Sequence, residues 1–244
     1  MKLGIGYAIW NRNALEWLIE GLLESCPSIR TAWAFIDNDA EHELFLTLQH
    51  RLPIVPKIIN YHGPDISEGQ QHNLLIQWGF DEKLDMVLCP QDDNRVKDPA
   101  LADNLAKLFD KYGDKLGIVG GRDMYGPGYA GMASCPHSLS VLATRRIGIG
   151  ETCVGMPLMN TGPFAYPMRC MGTIGLHDSN LIYGHDDITL RADLAGFTNV
   201  LLGMDIIHEH KATPRAVTYT TARVTQCVEQ INAKFFNQIG RNVI

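Results

Sequence analysis

The stretch Met86-Val87-Leu88-Cys89-Pro90-Gln91-Asp92-Asp93-Asn94 decides the fold. Its four leading apolar residues are too few for a helix and predict a strand buried on both faces, as in a parallel sheet. Asp92 and Asp93 follow at the carboxyl end of this strand, where open α/β sheets bind their ligands. Adjacent carboxylates repel each other unless a cation or hydrogen-bond donors lie between them, and oxygen ligands suit Mg²⁺ or Mn²⁺. A polar turn before a helix that begins at Asp98-Pro99 accounts for the same residues. This stretch alone therefore does not distinguish a metal site from a turn.

The composition is that of an ordinary globular protein. The chain has 244 residues, of which 45% are hydrophobic and 20% charged, and its formal net charge is -6. This length suits one large α/β domain or two small ones, and the acidic balance disfavours nucleic acid or an anionic membrane as a partner. The N-terminal segment does not have the pattern of a signal peptide, and no apolar run reaches the roughly 18–20 residues of a membrane span. We therefore expect a cytoplasmic protein without an integral membrane segment.

The six cysteines form no Cys-x-x-Cys pair. This spacing argues against a zinc knuckle and is typical of reduced thiols, several of them in the core. Cys135, Cys153 and Cys170 lie in one segment, so a disulfide among them stays open.

Strand and helix patterns alternate through the first 120 residues. Short apolar runs predict strands, and apolar residues at helical spacing predict the helices between them. The short connections predict a mostly parallel sheet with helices on both faces. The predicted strands are 3–9, 31–36, 54–60, 85–89 and 116–120, and the predicted helices are 14–25, 41–51, 69–79 and 98–112.

The pattern changes at Gly121, where glycine, proline and methionine become frequent and periodicity weakens. The segment 125–131 predicts a mobile loop, which is either a substrate loop or a plain surface insertion. Two short strands, 140–144 and 158–166, are expected beside it. Further along we predict a helix that begins at Asp186-Asp187 and ends at Gly196, a strand over 199–204 and an amphipathic helix over 221–236. The inward residues of the helix that begins at Asp186 are predicted to be Ile188, Leu190, Arg191 and Leu194.

Polar motifs stand at the ends of these elements. They are Tyr7, Asn11 and Arg12 after the first strand, Asp37 after the second, Gly69-Gln70-Gln71-His72-Asn73 at a helix start, Gln91-Asp92-Asp93 after the fourth strand, Gly184-His185-Asp186-Asp187 running to Arg191 and Gly196, and His208 after the last strand. Their order resembles that of the GT-A fold glycosyltransferases, close to the large inverting family 2, over about residues 3–210.

The resemblance implies an α/β fold of the GT-A, Rossmann-like type. It has a mostly parallel central sheet with helices on both faces and a small antiparallel portion on the acceptor side. We expect a single domain over 1–244, with a nucleotide-sugar-binding half over 1–120, an acceptor and catalytic half over 121–215, and a C-terminal helix in 216–244. The implied function is transfer of a sugar from a nucleotide sugar, a UDP- or GDP-sugar first, to an acceptor hydroxyl on a glycan or another molecule.

The resemblance also implies roles for single residues. Asp93 is expected to bind Mn²⁺ or Mg²⁺ first, with Asp92 second and His208 third, and the ion would ease departure of the diphosphate. The expected donor contacts are Tyr7, Asn11, Arg12, Asp37, Asn73, Gln91 and Asp92. Asp187 is expected to be the general base of an inverting transfer, and Asp186 to orient the acceptor. Both acids also suit a helix N-terminus, where they interact favourably with the helix dipole.

Two alternatives remain beside a hexosyltransferase-like enzyme. Gln91 replaces the first acid of the family's metal motif, which keeps open a catalytically silent sugar- or nucleotide-binding scaffold of the same fold. A metal-dependent nucleotidyltransferase is less favoured, because the first loop has no glycine run to hold a triphosphate. His72 stands where the family often has a basic residue, and His177 and His185 are expected to be surface residues.

Overall fold

The structure is a computed structural model. It describes residues 1–8, 32–37, 50, 57–60, 68–90, 94–123, 148–155, 162–181, 184–208 and 221–239. The described strands are β1 Leu3–Ala8, β2 Ala32–Asp37, β3 Lys57–Asn60, β4 Met86–Cys89, β5 Asn94–Val96, β6 Leu116–Asp123, β7 Thr152–Val154, β8 Phe164–Pro167, β9 Thr198–Met204 and β10 Ile206–His208. The described α-helices are α1 Glu68–Asp81, α2 Leu101–Tyr112, α3 Met168–Ile174, α4 Gly184–Leu194 and α5 Thr221–Ile239.

Eight strands form one sheet in the order β3-β2-β1-β4-β8-β6-β9-β7. The pairings among β1, β2, β3 and β4 are parallel, and so is the pairing of β6 with β9. β8 runs antiparallel between β4 and β6, and β7 runs antiparallel to β9. Six strands therefore share one direction, and the predicted mostly parallel sheet with a smaller antiparallel portion is confirmed.

β4 is buried on both faces, as its apolar run predicts. Met86 and Leu88 pack with α2 in one cluster, whereas Val87 and Cys89 pack with α1, α3 and α4 in the other. All four side chains are 0% exposed. Successive strand residues point to opposite faces, so this short run carries the core of both layers.

Several helix boundaries differ from the prediction by one to three residues. α2 begins at Leu101 instead of residue 98, because Asp98 Oδ1 accepts a hydrogen bond from the Ala100 N–H (2.9 Å) ahead of the helix. α4 ends at Leu194, and Gly196 follows at a φ of 80° as predicted. The prediction that Leu194 points inward is wrong, because it lies in the last turn beyond the sheet and is 46% exposed.

Some of the other predictions fall on described residues, and the remainder lie outside them. α5 extends three residues past its predicted end. Cys153 and Cys170 are free thiols, whereas Cys135 lies outside the described residues. The predicted helix over 14–25, the strand over 140–144 and the loop over 125–131 also lie outside them, and so does the predicted helix over 41–51 except for residue 50. Within the described ranges, no helix is long and apolar enough to cross a membrane.

Candidate active site

The carboxyl ends of the parallel strands β1 to β4 meet at one edge of the sheet. The β1–β2 register pairs Tyr7 with Phe35 and Ala8 with Ile36, and Asp37 pairs with Asn60 of β3. The backbones of Tyr7 and Asp37 therefore lie at the edge where open α/β sheets bind ligands. Asn11 and Arg12, the other predicted donor contacts on the first strand's corner, lie outside the described residues.

A separate two-stranded sheet stands at the same end of β4. β5 pairs antiparallel with β10, and the register places His208 opposite Asn94. Asn94 directly follows the predicted ligands Asp92 and Asp93, which lie with Gln91 outside the described residues. The backbone pairing thus brings His208 next to the residue that follows the predicted metal motif in the sequence, although 114 positions separate His208 from Asn94 in the chain.

Asn73 has both of its polar side-chain atoms occupied. Its Nδ2 donates to the backbone carbonyl of His177 (2.9 Å), and its Oδ1 accepts from the His177 N–H (2.8 Å). This two-bond clamp fastens the segment after α3 to helix α1. In this structure Asn73, a predicted donor contact, positions His177.

Asp187 lies in the first turns of α4 and is completely buried. Its Oδ2 accepts from Arg191 Nε and also lies 2.9 Å from Arg191 NH2, while its Oδ1 lies 2.6 Å from Lys234 Nζ on α5. Both carboxylate oxygens are therefore paired with cations. The two cations hold this carboxylate in place, which makes it an anchor for α4.

The two cations continue into a wider anchor. Arg191 also donates to the backbone carbonyls of Ile174 and Leu176, the latter at 2.7 Å. Lys234 lies 3.4 Å from Asp178 as well. Asp187 thus joins α4, α5 and the segment after α3 through one carboxylate.

Asp186, the other predicted catalytic acid, precedes Asp187 on α4. It is 6% exposed, and its backbone carbonyl accepts a hydrogen bond from the Thr189 hydroxyl (3.3 Å). Arg191 and Lys234 make their ion pairs with Asp187 and Asp178.

Three histidines meet beneath the start of α4. His72 comes from α1, His177 from the segment after α3, and His185 from α4, and each is at most 5% exposed. The Tyr166 hydroxyl on β8 lies 2.7 Å from His72 Nδ1 and 3.1 Å from His177 Nε2. The expectation that His177 and His185 are surface residues is wrong, because α1, α4 and β8 close over them.

His185 is held on two sides. Its Nε2 lies 3.3 Å from Glu68 Oε2 at the start of α1, and its ring stacks on Phe164 with centroids 4.1 Å apart. The contact fixes the first turn of α4, which carries both acids, against α1 and β8.

Burial sets the ionisation of two groups in this cluster. Desolvation, followed by the charges of Cys89 and Glu68, raises the pKa of the Tyr166 phenol well above its usual value. Desolvation, followed by His185, His72 and Arg191, lowers the pKa of His177 well below its usual value, against an opposing contact with the Gly184 backbone. Tyr166 therefore keeps its proton, and His177 is a neutral imidazole at neutral pH.

Solved structures of other proteins share this architecture. No protein-family model and no curated protein sequence matches the chain. Among solved structures, residues 1–349 of S. aureus TarS match at a TM-score of 0.65 and 13% identity, covering 97% of this chain and 66% of that one. The mannosyltransferase PcManGT of Pyrobaculum calidifontis matches at a TM-score of 0.67 and 11% identity, covering 97% and 64%. Glucosyl-3-phosphoglycerate synthase of Mycobacterium tuberculosis matches at 0.58 and 14%, covering 98% and 80%.

The chain has the GT-A glycosyltransferase fold. It spans slightly less than two thirds of the TarS fragment and of PcManGT. TarS has been crystallised with UDP-GlcNAc and with UDP, PcManGT with GDP-Man and Mn²⁺, and the synthase with UDP and either Mn²⁺ or Mg²⁺. In this GT-A fold the edge formed by β1 to β4 and the β5–β10 pair lie at one end of the sheet.

The sequence prediction missed the histidine cluster and the cations on Asp187. His72, His177 and His185 come from three elements far apart in the chain, so no local spacing links them. Lys234 lies on α5, where it is one exposed charge on an amphipathic helix. The Asp187–Arg191 pair was detectable, because residues four apart on a helix face each other.

Proposed function

We propose that this chain is a glycosyltransferase that moves a sugar from a UDP- or GDP-sugar to an acceptor hydroxyl. The observation that carries the proposal is the pairing of His208, the last predicted metal ligand, with Asn94, the residue that directly follows the acidic motif in the sequence. The GT-A fold supports it, since TarS and PcManGT carry nucleotide sugars in crystals.

The proposed metal site consists of Asp93, Asp92 and His208. The β5–β10 register supports this set, because it holds the backbone of His208 next to the residue that follows Asp93. Carboxylate oxygens with one imidazole suit Mn²⁺ or Mg²⁺. Such an ion would neutralise charge on the departing diphosphate.

The nucleotide is proposed to bind along the edge formed by β1 and β2. The backbone positions of Tyr7 and Asp37 at this edge support the assignment. The remaining proposed donor contacts are Asn11, Arg12, Gln91 and Asp92, which the sequence places on the loops after β1 and β4.

The base of an inverting transfer is proposed to be Asp186, with Asp187 as a positioning residue. This exchanges the roles that the sequence alone suggests. Both oxygens of Asp187 lie within ion-pair distance of Arg191 or Lys234, so this carboxylate anchors α4. Asp186 shares the same helix start and can take a hydroxyl proton opposite the leaving diphosphate.

The test measures product formation from UDP-GlcNAc, UDP-Glc and GDP-Man with a panel of sugar and polyol acceptors, with and without Mn²⁺. We expect turnover with one donor class, loss of at least about 100-fold in kcat for Asp186→Asn with an unchanged melting temperature, and loss of Mn²⁺ dependence for Asp93→Asn. Asp103→Asn, an exposed acid on α2, is the matched control. Binding of a donor without turnover across the panel would favour the silent scaffold, and turnover retained in Asp186→Asn would exclude Asp186 as the base.

A further inference from the structure

The triangle formed by His72, His177 and His185 has the dimensions of a three-histidine metal site. The three ring centroids lie 5.3, 5.4 and 5.6 Å apart. A Zn²⁺ ion bound by three imidazoles at about 2.0–2.1 Å places the ring centroids roughly 5.2–5.5 Å apart. Each histidine can offer one ring nitrogen such that all three nitrogens lie within 4.8 Å of one another.

One nitrogen of each ring is held by an oxygen. Tyr166 OH lies 2.7 Å from His72 Nδ1 and 3.1 Å from His177 Nε2, and Glu68 Oε2 lies 3.3 Å from His185 Nε2. Metal-binding histidines characteristically donate their second N–H to a carboxylate or another oxygen, which fixes the tautomer and the ring orientation. The phenol oxygen of Tyr166 can accept both N–H groups, since a hydroxyl has two lone pairs.

Two of the opposite nitrogens are buried without a hydrogen bond. Among the described residues, neither Nδ1 of His177 nor Nδ1 of His185 has a partner with normal hydrogen-bond geometry, although the His177 ring also contacts the Gly184 backbone. His177 is 4% exposed and His185 is 5% exposed. Buried polar atoms of this kind are rare, and a bound ion is one of their standard explanations.

We propose that His72, His177 and His185 bind one Zn²⁺ ion, and that this ion fastens α1 and the segment after α3 to the start of α4. Three neutral imidazoles favour Zn²⁺ over Mg²⁺ and Mn²⁺, which prefer oxygen. The site differs in ligands and in place from the proposed Asp93 site. Binding draws the nitrogens to about 3.3–3.5 Å from one another.

The test uses the full chain, purified without a histidine tag and stripped with dipicolinate. Zn²⁺ is returned in equimolar steps, and bound metal is measured by mass spectrometry after gel filtration, together with the melting temperature. We expect one Zn²⁺ per chain with a rise in melting temperature, loss of both in His177→Gln and His185→Gln, and retention in His50→Gln, an exposed histidine. Tyr166→Phe keeps the three ligands and is expected to bind Zn²⁺ about 10–100-fold more weakly.

Two further measurements distinguish the histidine site from the proposed site at the β4 edge and from a variant that does not fold. Asp93→Asn should still bind Zn²⁺ at this site, so a loss there would assign the ion to the β4 edge instead. X-ray absorption of the wild-type zinc protein should show three imidazole ligands at about 2.0–2.1 Å, even if a histidine variant does not fold. Absence of stoichiometric Zn²⁺ in the wild type, or zinc retained in the His177→Gln/His185→Gln double variant, would overturn the proposal.

Discussion

Asp187 illustrates how far one residue can be interpreted from sequence. Its place in the first turns of α4 was predicted correctly, and so was its neighbour Arg191. The contact with Lys234 was not predictable, because it depends on how α5 docks against α4. A buried carboxylate that is paired with two cations anchors the elements that carry them, and sequence motifs do not reveal this role.

Removing the charge of Asp187 should therefore destabilise the protein. Loss of one partner from a buried ion pair costs about 3–5 kcal/mol. We expect Asp187→Asn to lower the free energy of unfolding by an amount near the lower end of that range, since Lys234 is 37% exposed and regains hydration. Urea unfolding followed by circular dichroism measures the difference.

Asp103→Asn on the exposed face of α2 is the matched control and should change stability by less than about 0.5 kcal/mol. A Lys234→Met variant should show part of the same loss, and combining it with Asp187→Asn should cost less than the sum of the two single changes. Equal stability of Asp187→Asn and the wild type would mean that the carboxylate does not anchor α4.

At the scale of elements, long periodic segments were predicted well and short ones were not. The apolar runs of β4, β6 and β9 and the helical pattern of α1 and α2 gave the correct element types. β5 and β7 have three residues each, too few for a periodic signal. Helix α3, Met168–Ile174, was missed because its single charged residue defines no polar face and it contains Gly172.

The packing of α1 on β4 depends on a glycine. A Cβ added at Gly79 would lie 2.5 Å from Val87 Cγ2 and 2.7 Å from Met168 Sδ, both in the core. Alanine is preferred over glycine inside helices by up to about 1 kcal/mol, but overpacking a core costs about 1–3 kcal/mol. We expect Gly79→Ala to be destabilising by about 1–2 kcal/mol in thermal unfolding.

Gly172 on α3 provides the matched helical control. The nearest atom to its added Cβ is Phe80 Cε1 at 3.8 Å, an ordinary contact. Gly172→Ala should therefore be neutral or stabilising by up to about 1 kcal/mol. If the two variants changed the melting temperature in the same direction and by the same amount, the effect of Gly79→Ala would not arise from the close approach of α1 to β4.

At the scale of the whole molecule, the parallel half followed from the residue pattern, whereas the antiparallel portion was implied only by the family resemblance. Alternating strands and helices predict a parallel sheet, because each helix carries the chain back to the end of the sheet where the preceding strand began. β8 inserts antiparallel between β4 and β6, a long-range pairing for which no local residue pattern codes. The polar motifs could be ordered along the chain, whereas the pairing of His208 with Asn94 required the β5–β10 register.

The nucleotide edge of the sheet leads to a prediction for the intact protein. A ligand at 100 times its Kd stabilises the folded state by about 2.7 kcal/mol, which for a chain of 150–250 residues raises the melting temperature by roughly 5–10 °C. We expect a shift of this size with UDP or GDP in the presence of Mn²⁺, and a smaller shift with the nucleoside alone, because the metal and the diphosphate bind together.

Differential scanning fluorimetry on zinc-loaded protein measures the shift, so that the histidine site does not contribute. Asp93→Asn should remove the dependence on Mn²⁺, while Asp103→Asn should leave it unchanged. If neither UDP nor GDP shifted the melting temperature of the wild type with Mn²⁺, the donor site at this edge would be refuted.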